Sequence, residues 1–347
     1  FFFGTLQQKA GAMANAFAAY LAEHHRDLDA YLDAFFVDRT DDADLDAYLY
    51  APLREFSENG GKRHRPLICM LAAQATGGDP ARARSAAAAI EHFQSAALIH
   101  DDIADKGRLR RGKPCMYLTE GVGRAINCGD YDLTLVCDAV LRDRGLDDAI
   151  KLRVIGELTA MMQRTVEGQA LDLGWVQDGR FDITVDDYLV MATLKTAHYS
   201  GAVPLAVGAI IGGGTEEQVE ALRSFGLDTG LAFQIQDDLL NLIGDAGDKD
   251  FRSDITEGKR TLVAVHALGC EDRREELVGL LTSGTTDPAD LDRAVGIFEE
   301  TGSIAFARDR ALTLIARAKR TLSGVELDAR CAELLLAMAD FFVERLR

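Results

Sequence analysis

Two acidic clusters carry the residue types and spacing best suited to chemistry. From Phe93 to Asp105 (FQSAALIHDDIAD), Gln94, Asp101 and Asp105 fall nearly in line along a helix, with Asp102 about 100° away. From Phe233 to Asn241 (FQIQDDLLN), Gln234, Asp237, Asp238 and Asn241 stand at i, i+3, i+4 and i+7, on one face. The other faces of this second helix are apolar, through Leu231, Phe233, Ile235, Leu239, Leu240, Leu242 and Ile243. Such a helix belongs inside the protein, so its polar stripe must line a cavity, because carboxylates buried without compensation are strongly destabilising. A single Asp-Asp pair is ordinarily a solvated helix end; its recurrence on two apolar helices is what indicates a site. Carboxylates without His or Cys suit a hard cation. Mg²⁺ fits best, since it takes one or two carboxylates and completes its shell with water and phosphate oxygens.

Basic residues accompany the acids. Gly60 to Pro66 (GGKRHRP) sets three cations, Lys62, Arg63 and Arg65, after a flexible pair and before a helical pattern, an arrangement suited to one anion. Lys106 to Pro114 (KGRLRRGKP) places five cations directly after the first acidic helix. Lys195-Thr196, Lys249 and Lys259-Arg260-Thr261 are the further candidates. Each stretch alone reads as a solvated loop. Beside metal-binding acids they indicate diphosphate chemistry.

The elements that must position these residues are helices. Only six prolines occur, none between 115 and 203 or between 205 and 287. Apolar residues recur at helical spacing in Phe17, Tyr20, Leu21, Leu28, Tyr31, Leu32 and Phe35 and again from Leu334 to Leu346. No sustained strand alternation is present, and no linker divides the chain. The expectation is an all-α protein forming a single domain over 1–347, with about the first 50 residues as packing helices. A net charge of -18 argues against nucleic acid or an anionic membrane as partner. No apolar run approaches the roughly 20 residues of a membrane span. The start, Phe1-Phe2-Phe3-Gly4, lacks the pattern of a signal peptide, and the absent Met suggests a trimmed or engineered terminus. Six scattered cysteines without metal spacing imply reduced thiols and a cytoplasmic location.

Taken in order, GGKRHRP, DDIAD with Arg110-Arg111-Gly112, Gly123 to Asp130, Gly168-Gln169 with Asp172, Lys195-Thr196 and FQIQDDLLN resemble the trans-isoprenyl diphosphate synthases of the polyprenyl synthetase family. The resemblance is dense over about residues 50–262. It implies an isoprenoid synthase helical bundle around a central active-site cavity, usually a homodimer. It also implies that Lys62, Arg65, Gln94 and Arg111 hold isopentenyl diphosphate, with Gln94 where many members carry His. Asp101 and Asp105 then resemble ligands of two Mg²⁺ ions, and Asp237 that of a third, with Asp102, Asp238 and Asn241 completing the two motifs. Arg110, Lys195, Thr196, Gln234, Lys249 and Lys259 resemble contacts to the allylic diphosphate. Asn241 departs from the usual Asp, keeping a carbonyl oxygen but no charge.

The implied reaction ionises an allylic diphosphate, adds the double bond of isopentenyl diphosphate and loses a proton, so no nucleophile triad is needed. Acids and cations serve the departing pyrophosphate, and apolar flanks keep water from the carbocation. Product length follows from one helix. Ala97 and Ala96 lie roughly 6 to 7.5 Å before Asp101 and leave room, while Phe93, about 12 Å before it, forms a floor. Geranylgeranyl diphosphate is the expected product, with farnesyl or longer chains as alternatives. A class I terpene cyclase would leave GGKRHRP and Arg111 unexplained. A non-catalytic partner subunit would be expected to lose acids from the first motif, and all three are present.

Overall fold

The computed structural model describes residues 15–37, 39–244 and 251–343. Helices account for nearly all regular structure among them, as the proline spacing requires. The first acidic motif ends the helix Arg84–Ala104, whose Ala86 to Ala89 are wholly buried between its neighbours His64–Ala75 and Val122–Leu141. The second motif ends the helix Glu216–Ile243, which Thr215 and Gln218 start with a reciprocal capping box. The long helix Asp148–Gln177, capped by Asp147, and a segment from Thr193 to Ala202 complete the inner wall. Helices Ser303–Leu322 and Ala329–Val343 back the second acidic helix from outside, and the first helix, Ala16–Asp33, packs on the last. No helix among the described residues is long and apolar enough to cross a membrane.

The 193–202 segment is wound as a π-helix rather than an α-helix. Pro204 comes two residues after its end, and π turns are frequent at functional sites. Lys195, Thr196 and Tyr199 all project from it. Glycines allow its neighbours to come close. A Cβ on Gly168 would lie 2.2 Å from the Lys195 nitrogen, and one on Gly226 would lie 2.5 Å from the backbone of Gly201. Backbones therefore touch where any side chain would hold them apart, and Lys195 is brought over the helix that carries Asp172.

Strand alternation is absent from the sequence, yet one small antiparallel pair forms, Leu109–Arg110 against Lys113–Pro114. Its turn is Arg111-Gly112, both at positive φ (55° and 79°), the combination that two-residue hairpins favour. This hairpin folds the basic stretch back over the end of the first acidic helix.

Candidate active site

One cavity of about 680 Å³ lies between the two acidic helices. Asp101, Asp102, Asp105, Arg110, Lys195, Thr196, Gln234, Asp238, Asn241 and Lys259 line it, together with Phe93 and Ala97. Sequence spacing thus brought most of its candidates to one place. Ala96 is fully buried away from the wall, so only Ala97 of the two alanines borders the space. Lys249 lies outside the described residues.

The charged end of the cavity alternates anions with cations. Lys195 Nζ is 2.5 Å from Asp172 Oδ2. Lys259 Nζ is 2.8 Å from Asp105 Oδ1 and 3.6 Å from both Asp172 Oδ2 and Glu257 Oε2. Gln169 Nε2 donates to Asp101 Oδ1 at 3.0 Å. Burial works to raise the carboxyl of Asp172, but Lys195 and Lys259 outweigh it and hold that group below its ordinary value. Asp105, with Asp101 beside it, moves upward, chiefly through burial.

Asp102 and Arg110 take up each other. Asp102 is 3% exposed, and the Arg110 guanidinium grips it through Nε, 2.9 Å from Oδ1, and through Nη2. The hairpin delivers this partner, and an acid so held anchors the loop over the cavity mouth. Of the first motif, Asp101 and Asp105 are the acids left facing the cavity without an arginine fork.

In the second motif the helix face is narrower than spacing alone indicates. Gln234, Asp238 and Asn241 face the large cavity, whereas exposed Asp237 lines a small adjoining cleft with Lys62, His64, Phe233 and Gln236. Asp238 accepts from Tyr188 Oη at 2.7 Å and from Gln234 Nε2 at 2.6 Å, and burial pushes its carboxyl up to about 7. Thr196 donates to Gln234 Oε1 at 2.6 Å. Asn241 donates to Ser253 Oγ at 3.1 Å, which an aspartate in its place has no hydrogen to do.

The expected second anion site surrounds the glycine loop. Arg111 donates to the Gly60 carbonyl and lies 5.7 Å above the Phe56 ring. Arg65 packs 4.5 Å over the Tyr199 ring and donates to Tyr199 Oη at 3.1 Å and Ser200 Oγ at 2.8 Å. Burial, with Arg63, Arg110 and Arg65 nearby, holds the Arg111 guanidinium below its ordinary value against the pull of Glu91. That repulsion is what an arriving anion relieves. Gln94 is buried, and its Oε1 has no hydrogen-bond partner among the described residues.

Sequence reasoning assigned no role to Tyr188, Asp254 or Glu257. All three line the cavity, and burial pushes Asp254 up to about 8 and Glu257 up to about 7. The available signal was two acids at i and i+3 immediately before Lys259. Apolar side chains also line the cavity, among them Leu98, Leu133, Leu173 and Met191, and Phe93 meets Tyr199 edge to face at 5.7 Å.

Donor chemistry fits a hard cation: carboxylates predominate among the cavity's possible ligands, no cysteine borders it, and His100 turns its Nε2 to the Ile126 carbonyl and Asp130. Among the described residues no three acidic, His or Cys groups already form a metal cage, and Lys259 spans Asp105 and Asp172.

Residues 46–298 match the family described as polyprenyl synthetase. A short chain isoprenyl diphosphate synthase of Methanothermobacter thermautotrophicus is 40% identical over 291 residues, covering 82% of this chain and 87% of that one. A geranylfarnesyl diphosphate synthase of Natronomonas pharaonis is 38% identical over 316 residues, 86% and 90% of the two chains. The crystal structure of a geranylgeranyl pyrophosphate synthase from Corynebacterium glutamicum, complexed with isoprenyl diphosphate and magnesium, superposes with a TM-score of 0.83 at 29% identity. It covers 95% of this chain and 99% of that one.

Proposed function

The chain belongs to the polyprenyl synthetase family of trans-isoprenyl diphosphate synthases, and from that premise we propose that it condenses isopentenyl diphosphate with an allylic diphosphate to give geranylgeranyl diphosphate. The observation that carries this reading is the two-part lining of the cavity, carboxylates and lysines together with apolar side chains that include Ala97 and Phe93. A prenyl diphosphate has the same two parts.

In this reading the allylic diphosphate sits at the mouth, near Lys195 and Lys259, with its tail beside Ala97. Asp101, Asp105 and Asp238 would hold Mg²⁺ from the cavity wall, and Asp237 would have to reach a third ion from the adjoining cleft. Bound Mg²⁺ supplies positive charge against the oxygens of the departing pyrophosphate. Lys195 and Lys259 add fixed cations to the same end, and such groups act more strongly within low dielectric than in water. Isopentenyl diphosphate sits across the glycine loop, on Lys62, Arg65, Arg111 and Gln94. As the allylic carbon–oxygen bond breaks, the isopentenyl double bond attacks the allylic carbon, and a proton then leaves to pyrophosphate. Apolar walls keep water from the cation.

Exposed Val122 and Ile126, one turn apart, with Leu118, Leu152 and Val166, support a homodimer. The six cysteines form no disulfide among the described residues, in accord with a reducing, cytoplasmic setting. The test is incubation with labelled isopentenyl diphosphate and dimethylallyl, geranyl or farnesyl diphosphate, with and without Mg²⁺. Magnesium-dependent C20 product is expected. Cyclised hydrocarbon, or no elongation of any primer, refutes the proposal.

A further inference from the structure

The glycine loop carries one cation that is turned into the protein. Arg63 is 3% exposed, and each arm of its guanidinium is engaged within the protein. Nε donates to Asp29 Oδ1 at 2.8 Å, Nη1 to Glu91 Oε1 at 2.5 Å and Nη2 to the Ser57 carbonyl at 2.7 Å. To make these contacts the residue adopts φ 46° and ψ 23°, a left-handed conformation that residues other than glycine seldom take. Such backbone persists only where its surroundings over-determine it.

The surroundings do so from the first helix. His25 Nδ1 lies 2.8 Å from Asp29 Oδ2, and its Nε2 lies 2.7 Å from the Gly61 carbonyl. The imidazole thus bridges the Asp29 carboxylate and the backbone of Gly61. Arg111 donates to the Gly60 carbonyl from the other side. Both glycine carbonyls are therefore held, one by the N-terminal helix and one by the hairpin.

We propose that Arg63, clamped by Asp29 and Glu91, is a positioning residue for isopentenyl diphosphate, fixing the Gly60-to-Arg65 backbone so that Lys62, Arg65 and Arg111 meet one anion without rearranging. The inference rests on the prenyltransferase reading above. An arginine that bound phosphate itself would keep donors open, and this one spends them on protein. An ion pair serving stability alone has no reason to force a left-handed residue between two phosphate-binding cations. Preorganised charge is what lowers the reorganisation needed on binding. The packing role expected of the first 50 residues thus acquires a second part, since His25 and Asp29 belong to the first helix.

The test is steady-state kinetics of the full chain carrying Asp29→Asn, Asp29→Glu or Arg63→Lys, with both substrates varied and melting followed alongside. For Asp29→Asn, KM for isopentenyl diphosphate is expected to rise about tenfold, while kcat and KM for the allylic diphosphate stay within about twofold. Asp29→Glu is expected to recover most of the loss. Unchanged KM for isopentenyl diphosphate, or a parallel rise for both substrates, overturns the proposal. Should Arg63→Lys fail to fold, Asp29→Asn decides, because Asp29 is 32% exposed and its loss leaves Arg63 on Glu91. Wild-type turnover separates the two readings. No condensation there defeats the prenyltransferase reading and the clamp with it, whereas an active wild type and an unmoved KM defeat the clamp alone.

Discussion

Replacing Phe93 with alanine tests how the cavity measures its product. The ring lines the cavity and meets Tyr199 edge to face at 5.7 Å. It stands eight residues before Asp101, or about 12 Å along the helix. Phe93→Ala removes about six ring carbons, and one isoprene unit adds about five, so the freed space admits about one further unit if the surrounding wall does not collapse. The expected shift is therefore from C20 toward C25, with turnover of short primers little changed. The cost in stability is about 3–5 kcal/mol at most for a buried Phe. That is a large part of the roughly 5–15 kcal/mol typical of folded chains, so Phe93→Leu is the gentler companion. Products are dephosphorylated and sized by reversed-phase chromatography against polyprenol standards. An unchanged length distribution from a cooperatively melting Phe93→Ala protein refutes the floor. Ala97→Phe supplies the converse, since a ring at roughly 6 Å from Asp101 is expected to stop growth at C15 or below.

Asp101→Ala or Asp105→Ala is expected to lower kcat by at least about a hundredfold while melting stays near that of the wild type; near-normal turnover in both sinks their assignment. Lys259→Gln removes the cation spanning Asp105 and Asp172, so turnover is expected to fall about a hundredfold, with a melting deficit that shrinks as pH is lowered and those acids take up protons. A deficit independent of pH would show that the lysine's charge is not what matters. Asp238, Asp254 and Glu257 keep protons in the folded protein that the unfolded chain has released. Folding then takes up protons between the ordinary aspartate value of 3.8 and about 8, and metal-free stability should fall as pH rises through that window. Asp172 is shifted the other way, so its contribution is lost only as pH falls below 3.8, outside the window. Burial shifts His198 and His266 down from the ordinary histidine value of 6.5, which opposes the trend only below that pH, so melting curves between about pH 6.5 and 8.5 check it, with Mg²⁺ plus pyrophosphate expected to flatten the slope; a rise with pH there would contradict it.

The acidic motifs and the helical class were legible in the sequence because both depend on short-range periodicity. Gln234, Asp238 and Asn241 share a wall since a helix repeats every 3.6 residues, and the apolar remainder of Glu216–Ile243 requires that helix to be internal. The same rule placed Phe93 and Ala97 below Asp101. It has an angular resolution of about 100° per residue, which is why it could not separate Asp237 from Asp238 or Ala96 from Ala97. Those pairs are sorted by what packs on each side of the helix, and packing is a property of the whole chain.

Tertiary structure alone decided which charge neutralises which. Arg110 and Asp102 are eight residues apart, but they meet because a two-residue turn of positive φ folds the basic stretch back. Lys259 reaches Asp105 across 154 positions, and Asp29 reaches Arg63 across 34, distances over which sequence carries no geometric information. The π-wound segment that aims Lys195 and Tyr199 needs glycine contacts from two other helices to form where it does. Composition and periodicity determined that this chain builds a helical cavity lined with acids and bases. Only the long-range contacts determined which of those groups face a substrate and which hold the others in place, because Coulomb energies depend on separations in space that the order of residues does not encode.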